Sequence, residues 1–420
     1  MESKLIAAQR LFHIKCRQVS DLTFRTLRKA GKRISNQPDT VTDVLIYPAI
    51  KNKEELNEII NKLAWYLPPD VVTPHTIHIA ANAKSTGPIT GSPDSQPEYE
   101  RNHLNINFID SKEVPKKVSD SDLILCHNFY QSISKSILSN IGRVVIIDPD
   151  FYRATEVSEW IGGTTKLRRM PQHKSHKKFL SLEELAADYE DSFVFATGPS
   201  LEEAYSYEFP DDSLKIICNG IVRNKELMDH IDPDVLTFAD PVKHFGPSEY
   251  AHDFRKNIAS IVQNYDCMIA IPLSKYDILA GQYPDISEYI IGIEPVDSDI
   301  PRFPTHNSLD VMRTSNIMTS LMLPIASSLT NRVHIIGADG REGSESQIWE
   351  YSNAVQYDDM MRTAIDSHPS FFRDKRPEKL YRQHVQTLSD IIKYGEKQCL
   401  EYVSLTKSHI ECLQERHGGV

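Results

Sequence analysis

Unbroken apolar runs of strand length recur along this chain. The first are Val44-Leu45-Ile46-Tyr47, Thr76-Ile77-His78-Ile79-Ala80, Leu104 to Ile109, Leu123-Ile124-Leu125-Cys126 and Val144-Val145-Ile146-Ile147-Asp148. Segments of helical spacing lie between them: Leu56, Ile59, Ile60 and Leu63 fall at i, i+3, i+4 and i+7, and a further helical stretch surrounds Ile133–Ile141. A strand that is apolar at consecutive positions is buried on both faces. Both faces are covered when helices cross over a parallel sheet. The pattern predicts an α/β unit over residues 37–160.

The rhythm then repeats. Strands are predicted at Phe193–Ala196, Lys215–Cys218, Val235–Phe238, Cys267–Ile271, Val333–Ile336 and Tyr402–Leu405, with helices over Leu309–Ser328 and Glu378–Gln398. The chain of 420 residues suits two such domains. The expected organisation is a basic arm over 1–36, a Rossmann-like domain over 37–160, a basic linker over 161–190, a second Rossmann-like domain over 191–406 and a tail over 407–420. Residues 82–101, rich in Ser, Pro, Gly and Asn, read as a long loop. The cluster Lys166, Arg168, Arg169, His173, Lys174, His176, Lys177 and Lys178 reads as a solvated linker or as an anion-binding strap.

Charge narrows the partners. Residues 1–33 carry nine Lys/Arg against two acids, so the formal net of −11 conceals a +7 arm on a body of −18. Such a body repels nucleic acid, which is excluded as a bulk partner. No apolar run approaches the ~18 residues of a membrane span, and no apolar stretch of the secretory type follows the basic start. The six cysteines form no C-x-x-C pair, which predicts small core residues in a reducing, cytoplasmic setting and no metal centre.

Ligands of parallel sheets bind beyond the carboxyl ends of the strands, so those ends carry the candidate site. Thr197-Gly198-Pro199-Ser200 follows the first strand of the second domain. It is either an ordinary strand-to-helix turn or a loop whose free amides attract phosphate. Asn219-Gly220 follows the next strand, as a turn or as a neutral donor and acceptor for a sugar or base. Asp240-Pro241 follows the third, as a loop start or as a metal ligand, hydroxyl acceptor or nucleophile. Asp232 and Asp234 precede that strand and fall at its other end. Gly337-Ala338-Asp339-Gly340 follows Val333–Ile336, with Asp339 a ribose acceptor or a turn residue. Tyr351 and Tyr357 lie in an aromatic stretch that would close over a ligand, and Ser367-His368-Pro369 offers a general base or a phosphate-contacting cation.

In this order the strand ends of residues 191–406 resemble the small bacterial sialyltransferases. Their wider superfamily includes Kdo transferases and archaeal 6-hydroxymethylpterin diphosphokinase-like proteins. The resemblance is carried by Gly198-Pro199-Ser200, Cys218-Asn219, Asp240-Pro241, Asn307-Ser308 opening a long helix, Gly337-Ala338-Asp339 and Ser367-His368. The expected architecture from the repeated pattern is α/β, two Rossmann-like domains facing a cleft, GT-B-like or a variant of it; the compared family members lack the full N-terminal domain. The resemblance implies transfer of a nonulosonic acid, Kdo or sialic acid, from a CMP-activated donor without a metal or other cofactor.

Residues 197–200 and 307–308 would hold CMP, together with Asp339, Gly340 and Tyr351. Asn219 would meet the donor sugar or its phosphate, and His368 would act as general base in an inverting reaction or help neutralise the leaving phosphate. The sialyltransferases carry Asn where this chain carries Asp240. That carboxylate suits a nucleophile in a retaining double displacement and tilts the expectation toward Kdo. Glu156 and Glu159 are the candidate acid/base residues across the cleft. The acceptor would be a saccharide or a lipid-linked saccharide. The +7 arm would hold the enzyme against anionic lipid at the inner face of the cytoplasmic membrane, or would pack on the acidic body. Two alternatives share the pattern: a Mg-dependent diphosphokinase-like enzyme, and a non-catalytic nucleotide-sugar-binding module.

Overall fold

A computed structural model describes residues 42–68, 76–81, 97, 99–127, 134–147, 165–341, 360–367 and 377–418. The chain divides into two compact units. The N-terminal unit is Met1–Thr164 with Ile365–Lys375, and the C-terminal unit is Thr165–Ala364 with Arg376–Val420. The basic arm, Glu156, Glu159, Tyr351, Tyr357 and His368 lie outside the described residues.

The N-terminal unit contains β1 (Asp43–Ile50), α1 (Lys53–Tyr66), β2 (Thr76–Ala81), β3 (Asn105–Ile109), α2 (Val114–Asp120), β4 (Leu123–Cys126), α3 (Lys135–Ser139) and β5 (Val144–Ile146). Its strands are all parallel, in the order β3-β2-β1-β4-β5, which reverses between β1 and β4 as in a doubly wound sheet. Leu45, Ala80, Ile124 and Cys126 meet Val118 of α2 and Ile137 of α3 in one apolar cluster. Asn52 starts α1 by accepting the Glu55 N–H at 2.8 Å.

The C-terminal unit begins with α4 (Thr165–Leu185). It continues through β6 (Asp191–Phe195), β7 (Ser213–Cys218), α5 (Lys225–Ile231), β8 (Val235–Thr237), α6 (Glu249–Tyr265), β9 (Met268–Pro272), α7 (Tyr276–Gln282) and β10 (Ile290–Val296). It ends with β11 (Asp310–Met312), α8 (Leu323–Leu329), β12 (Arg332–Ile336), the first residues, through Ala364, of α9 (Met361–Ser367), then α10 (Pro377–Glu396), β13 (Glu401–Ser404) and α11 (Glu411–Gln414). Among the described residues the eight strands are parallel, in the order β11-β10-β9-β8-β7-β6-β12-β13. The chain steps outward from β6 to β11 and then returns to lay β12 on the other side of β6. Val194, Ile216, Val235, Ala270, Ile291 and Val333 form the sheet's share of the core. Phe179 and Leu182 of α4, Ile325 of α8 and Ile391 of α10 cover them.

Three expectations change. The segment 161–190 is no linker over its described part. Residues 165–185 form a helix of the C-terminal unit, because Phe179 and Leu182 recur on one side and are buried. Residues 407–418 are no tail, since Ile410, Cys412 and Leu413 enter the core. Finally, Leu309–Ser328 is not one helix. Glu294–Val296 pair with Asp310–Met312 as β-sheet, leaving Val311 buried between half-buried neighbours. Beyond β11 a π turn at Met318–Met322 runs into α8, whose second residue, Pro324, has no N–H for an α-helical bond.

Of the cysteines in described residues, Cys126, Cys218, Cys267 and Cys412 are buried and Cys399 is exposed, at φ +67°. Among the described residues no helix is long and apolar enough to cross a membrane.

Candidate active site at the switch point of the C-terminal sheet

The return from β11 to β12 makes a topological switch point between β6 and β12, and parallel sheets bind ligands outside the carboxyl ends at such a point. Ile336, Phe195 and Ile217 lie on one register row, and Ile217 faces Leu236 of β8. Asp339, Ser200, Asn219 and Asp240 therefore all stand two to five residues beyond one row. They occupy four adjacent strands that span roughly 15 Å at the usual strand spacing.

The loops after β6 and β12 are tied backbone to backbone. Ala196 N–H donates to the Ile336 carbonyl and Gly198 N–H to the Gly337 carbonyl, both at 2.9 Å. Gly337 and Gly340 both have left-handed backbones, φ +74° and +73°, so a side chain would be strained at either. The Ser200 N–H reaches both oxygens of Asp339 at 3.2 Å. Gly198 is needed for another reason: an added Cβ would stand 2.1 Å from Asp339 Oδ2 and 2.6 Å from the Gly337 carbonyl oxygen.

The Asp339 carboxyl is pushed above the usual carboxylate range by burial, which outweighs its hydrogen bonds with Ser200. The amide expected to receive a phosphate is thus already held by a carboxylate of the chain. Two anions cannot share one N–H donor, so the loop at 197–200 does not present Ser200 N–H as an open phosphate seat. Around it, Thr197 is half-buried and Pro199 exposed.

Two residues that the sequence did not single out brace these loops. Thr406, buried just beyond β13, accepts the Ser200 hydroxyl at 3.0 Å and the Gly337 N–H at 3.2 Å. Ser408 donates to the Ala338 carbonyl at 2.7 Å. Their signal was available: small polar residues immediately after a strand, the criterion that selected the other strand ends.

Asn219 takes a left-handed backbone, φ +50°, at the end of β7. A non-glycine residue held there costs of order 1–3 kcal/mol, less for Asn than for most, and such positions concentrate at functional sites. No hydrogen bond of its side-chain amide is found among the described residues, and the residue is half-buried.

Asp240 fixes its own turn. Its Oδ1 accepts the N–H groups of Val242 at 2.9 Å and Lys243 at 2.8 Å. The Asp240 N–H donates to His244 Nδ1 at 3.0 Å, so this ring carries its proton on Nε2. His244 stacks on Phe254 with ring centroids 4.4 Å apart, and burial pushes it down to about 4. Beneath the turn, the fully buried guanidinium of Arg255 donates to the carbonyls of His244 at 2.7 Å and Gly246 at 3.0 Å. At the opposite end of the strand, Asp234 accepts the Lys215 N–H at 2.7 Å, away from this edge.

Asn307 and Ser308 do not join the site. They lie in the tight turn closed by Thr305 and Ser308, which leads into the amino end of β11. β11 is the outermost strand, three strands away from β8, so this pair is set apart sideways from the four strand ends of the site, and it opens no helix. Asn316, whose side chain accepts the Met318 N–H at 2.9 Å, starts the helical segment instead. Among the described residues no group of three or more His, Cys, Asp or Glu side chains is arranged to hold a metal ion. The chain matches no protein-family model, no curated protein and no solved structure.

Proposed function

We propose that the carboxyl edge of the C-terminal sheet binds a CMP-activated nonulosonic acid and transfers the sugar to a glycan or glycolipid acceptor, with Kdo favoured over sialic acid. One observation carries this reading: Asp339, Ser200, Asn219 and Asp240 come from distant parts of the sequence to four neighbouring strand ends at the switch point. Asp339, half-buried and tied to Ser200, suits an acceptor for ribose hydroxyls rather than a phosphate seat. Asn219 offers a neutral amide to the sugar. The Asp240 carboxylate, oriented by two amides, suits attack on the anomeric carbon. In that step its oxygen bonds to the carbon as the bond to the phosphate oxygen breaks and CMP leaves. The acceptor hydroxyl then displaces the carboxylate and gives its proton to a base, for which His368 and Glu159 are the candidates. The N-terminal unit would supply the acceptor side.

A thermal-shift comparison of the whole chain with CMP, UDP, GDP and ATP, with and without EDTA, tests the donor class. Stabilisation by CMP that survives EDTA is expected, because a ligand of the native state raises stability by mass action. Stabilisation by ATP alone, abolished by EDTA, would replace this reading with the phosphoryl-transfer one.

A further inference from the structure

The basic segment 166–178 is not a loose tether. From Met170 onward, one side of α4 is anchored. Pro171, Ser175, Phe179 and Leu182 are buried. The Ser175 hydroxyl donates to the Pro171 carbonyl at 2.7 Å and accepts the Gly292 N–H of β10 at 2.8 Å. A Cβ at Gly292 would stand 3.1 Å from Ser175 Oγ and 2.5 Å from Leu273, so helix and sheet meet there without room for a side chain. The opposite side of the helix is consequently held outward.

That outward side has a composition of its own. Met170, His173, Lys174, Lys177 and Leu180 follow at i, i+3, i+4, i+7 and i+10, one stripe of a helix. Met170 is 67% exposed and Leu180 39%. Lys177 and His173 have no ion pair among the described residues. Lys174 reaches Glu288 at 3.7 Å with both side chains largely in water, and Lys178 lies 5.9 Å over the Tyr289 ring. Glu183 is committed to the His306 N–H at 2.8 Å, and Glu184 stands two turns beyond Lys177.

We propose that this face of α4 docks on an anionic lipid bilayer, with the helix lying along the surface. Lysines interleaved with exposed apolar side chains match a surface that offers negative charge and hydrocarbon together, as a bilayer interface does. A nucleic acid offers the charge without the hydrocarbon. The acidic body does not oppose this contact, because charges more than about 8 Å away are screened at physiological salt. The inference is independent of the chemistry at the sheet edge.

Co-sedimentation of the full chain with phosphatidylcholine vesicles, with and without phosphatidylglycerol, tests it. Binding is expected only with phosphatidylglycerol, and it should fall as salt is raised. Lys174→Glu/Lys177→Glu should weaken it about tenfold or more, each lysine near the surface counting for about a factor of five. Met170→Ser should weaken it severalfold without changing the salt dependence. All three residues are exposed, so an unchanged unfolding temperature is the control for folding, with Lys177→Gln as the milder variant. Binding that is indifferent to these substitutions places the contact elsewhere, on the basic arm for instance, and overturns the proposal. So does equal retention by duplex DNA that ignores Met170→Ser.

Discussion

Gly198→Ala is the sharpest probe of the switch point, because the glycine there is not required by its backbone. Its φ and ψ, −73° and 169°, are open to any residue. What forbids a side chain is close approach: 2.1 Å to Asp339 Oδ2 and 2.6 Å to the Gly337 oxygen. The carboxylate can swing aside, but it then loses the Ser200 N–H, a charge-assisted bond worth about 1.5–3 kcal/mol. The Gly337 oxygen cannot follow. It accepts the Gly198 N–H, and Gly337 itself is crowded, a Cβ there standing 2.5 Å from the Ala196 oxygen. Forcing that contact costs about 1–3 kcal/mol. Together the loss is about 2.5–6 kcal/mol, a large part of the 5–15 kcal/mol that holds a typical domain.

Urea unfolding followed by circular dichroism reads this directly. With a slope of about 2 kcal/mol/M the midpoint of the C-terminal unit should fall by about 1.2–3 M with the slope unchanged. Amide exchange should accelerate in β6 and β12 and stay as it was in the N-terminal unit. Repeating the substitution in an Asp339→Ala background separates the two contacts, since only the Gly337 clash remains and the penalty should shrink. An equal penalty in both backgrounds would show that Asp339 is not the obstruction. A loss under about 0.5 kcal/mol, the scale of an ordinary surface change, would refute the packing argument altogether.

Asp339→Asn keeps an acceptor for the Ser200 N–H and removes a carboxylate whose charged form burial disfavours. It should hold or raise the urea midpoint at pH 7 while weakening CMP binding by calorimetry. Lost stability with intact binding would reverse both assignments. Asn219→Gly should relieve the left-handed backbone, raising stability slightly over Asn219→Ala by about 1 kcal/mol, yet both variants should lose transfer. A transfer-competent Asn219→Gly would reduce the residue to a turn former. Asp240→Ala should abolish transfer with CMP still bound, and wild-type turnover by Asp240→Asn would remove the nucleophile. His244 is neutral in the fold and pushed down to about 4. The unfolded chain therefore takes up its proton first as pH falls, and stability present above about 6.5 is lost toward 4, at up to roughly 3 kcal/mol. His244→Gln should flatten that part of the stability profile, and an unaltered slope would show that other groups carry it.

Strand positions were legible where apolar residues ran on without interruption, as in Ile216-Ile217-Cys218 or Val333 to Ile336. β10 has the same composition, but Gly292 interrupts it, and the side chains that crowd that position are Leu273 after β9 and Ser175 on a helix more than a hundred residues earlier. β11 is three residues long and leaves no periodicity to read. The same shortness misplaced Asn307 and Ser308. A small polar pair ahead of an apolar stretch announces a helix or a strand equally well, and Thr314-Ser315-Asn316 carries the same signal a few residues later. Asp339 and Ser200 are 139 residues apart, and nothing local in either segment announces their contact. The order of strands brings them together, and that order depends on a crossover that skips from β11 back to β12.

This crossover also sets what the edge can receive. Residues after β6, β7 and β8 alone would offer Ser200, Asn219 and Asp240, with a free amide for a phosphate. Laying β12 and β13 on the other side of β6 adds Asp339, Thr406 and Ser408, and it fills that amide with a carboxylate. A ligand with its phosphate at Ser200 would have to displace Asp339 and strand a charge that burial already disfavours. A ligand that brings a hydroxyl donates to the carboxylate in place. If the ligand is the proposed nucleotide sugar, its hydroxyl-bearing part would therefore sit beside β6 and β12. On the proposed reading its phosphate would then lie farther along, beside the neutral Asn219 of β7, because the amides after β8 are likewise taken, by the Asp240 carboxylate.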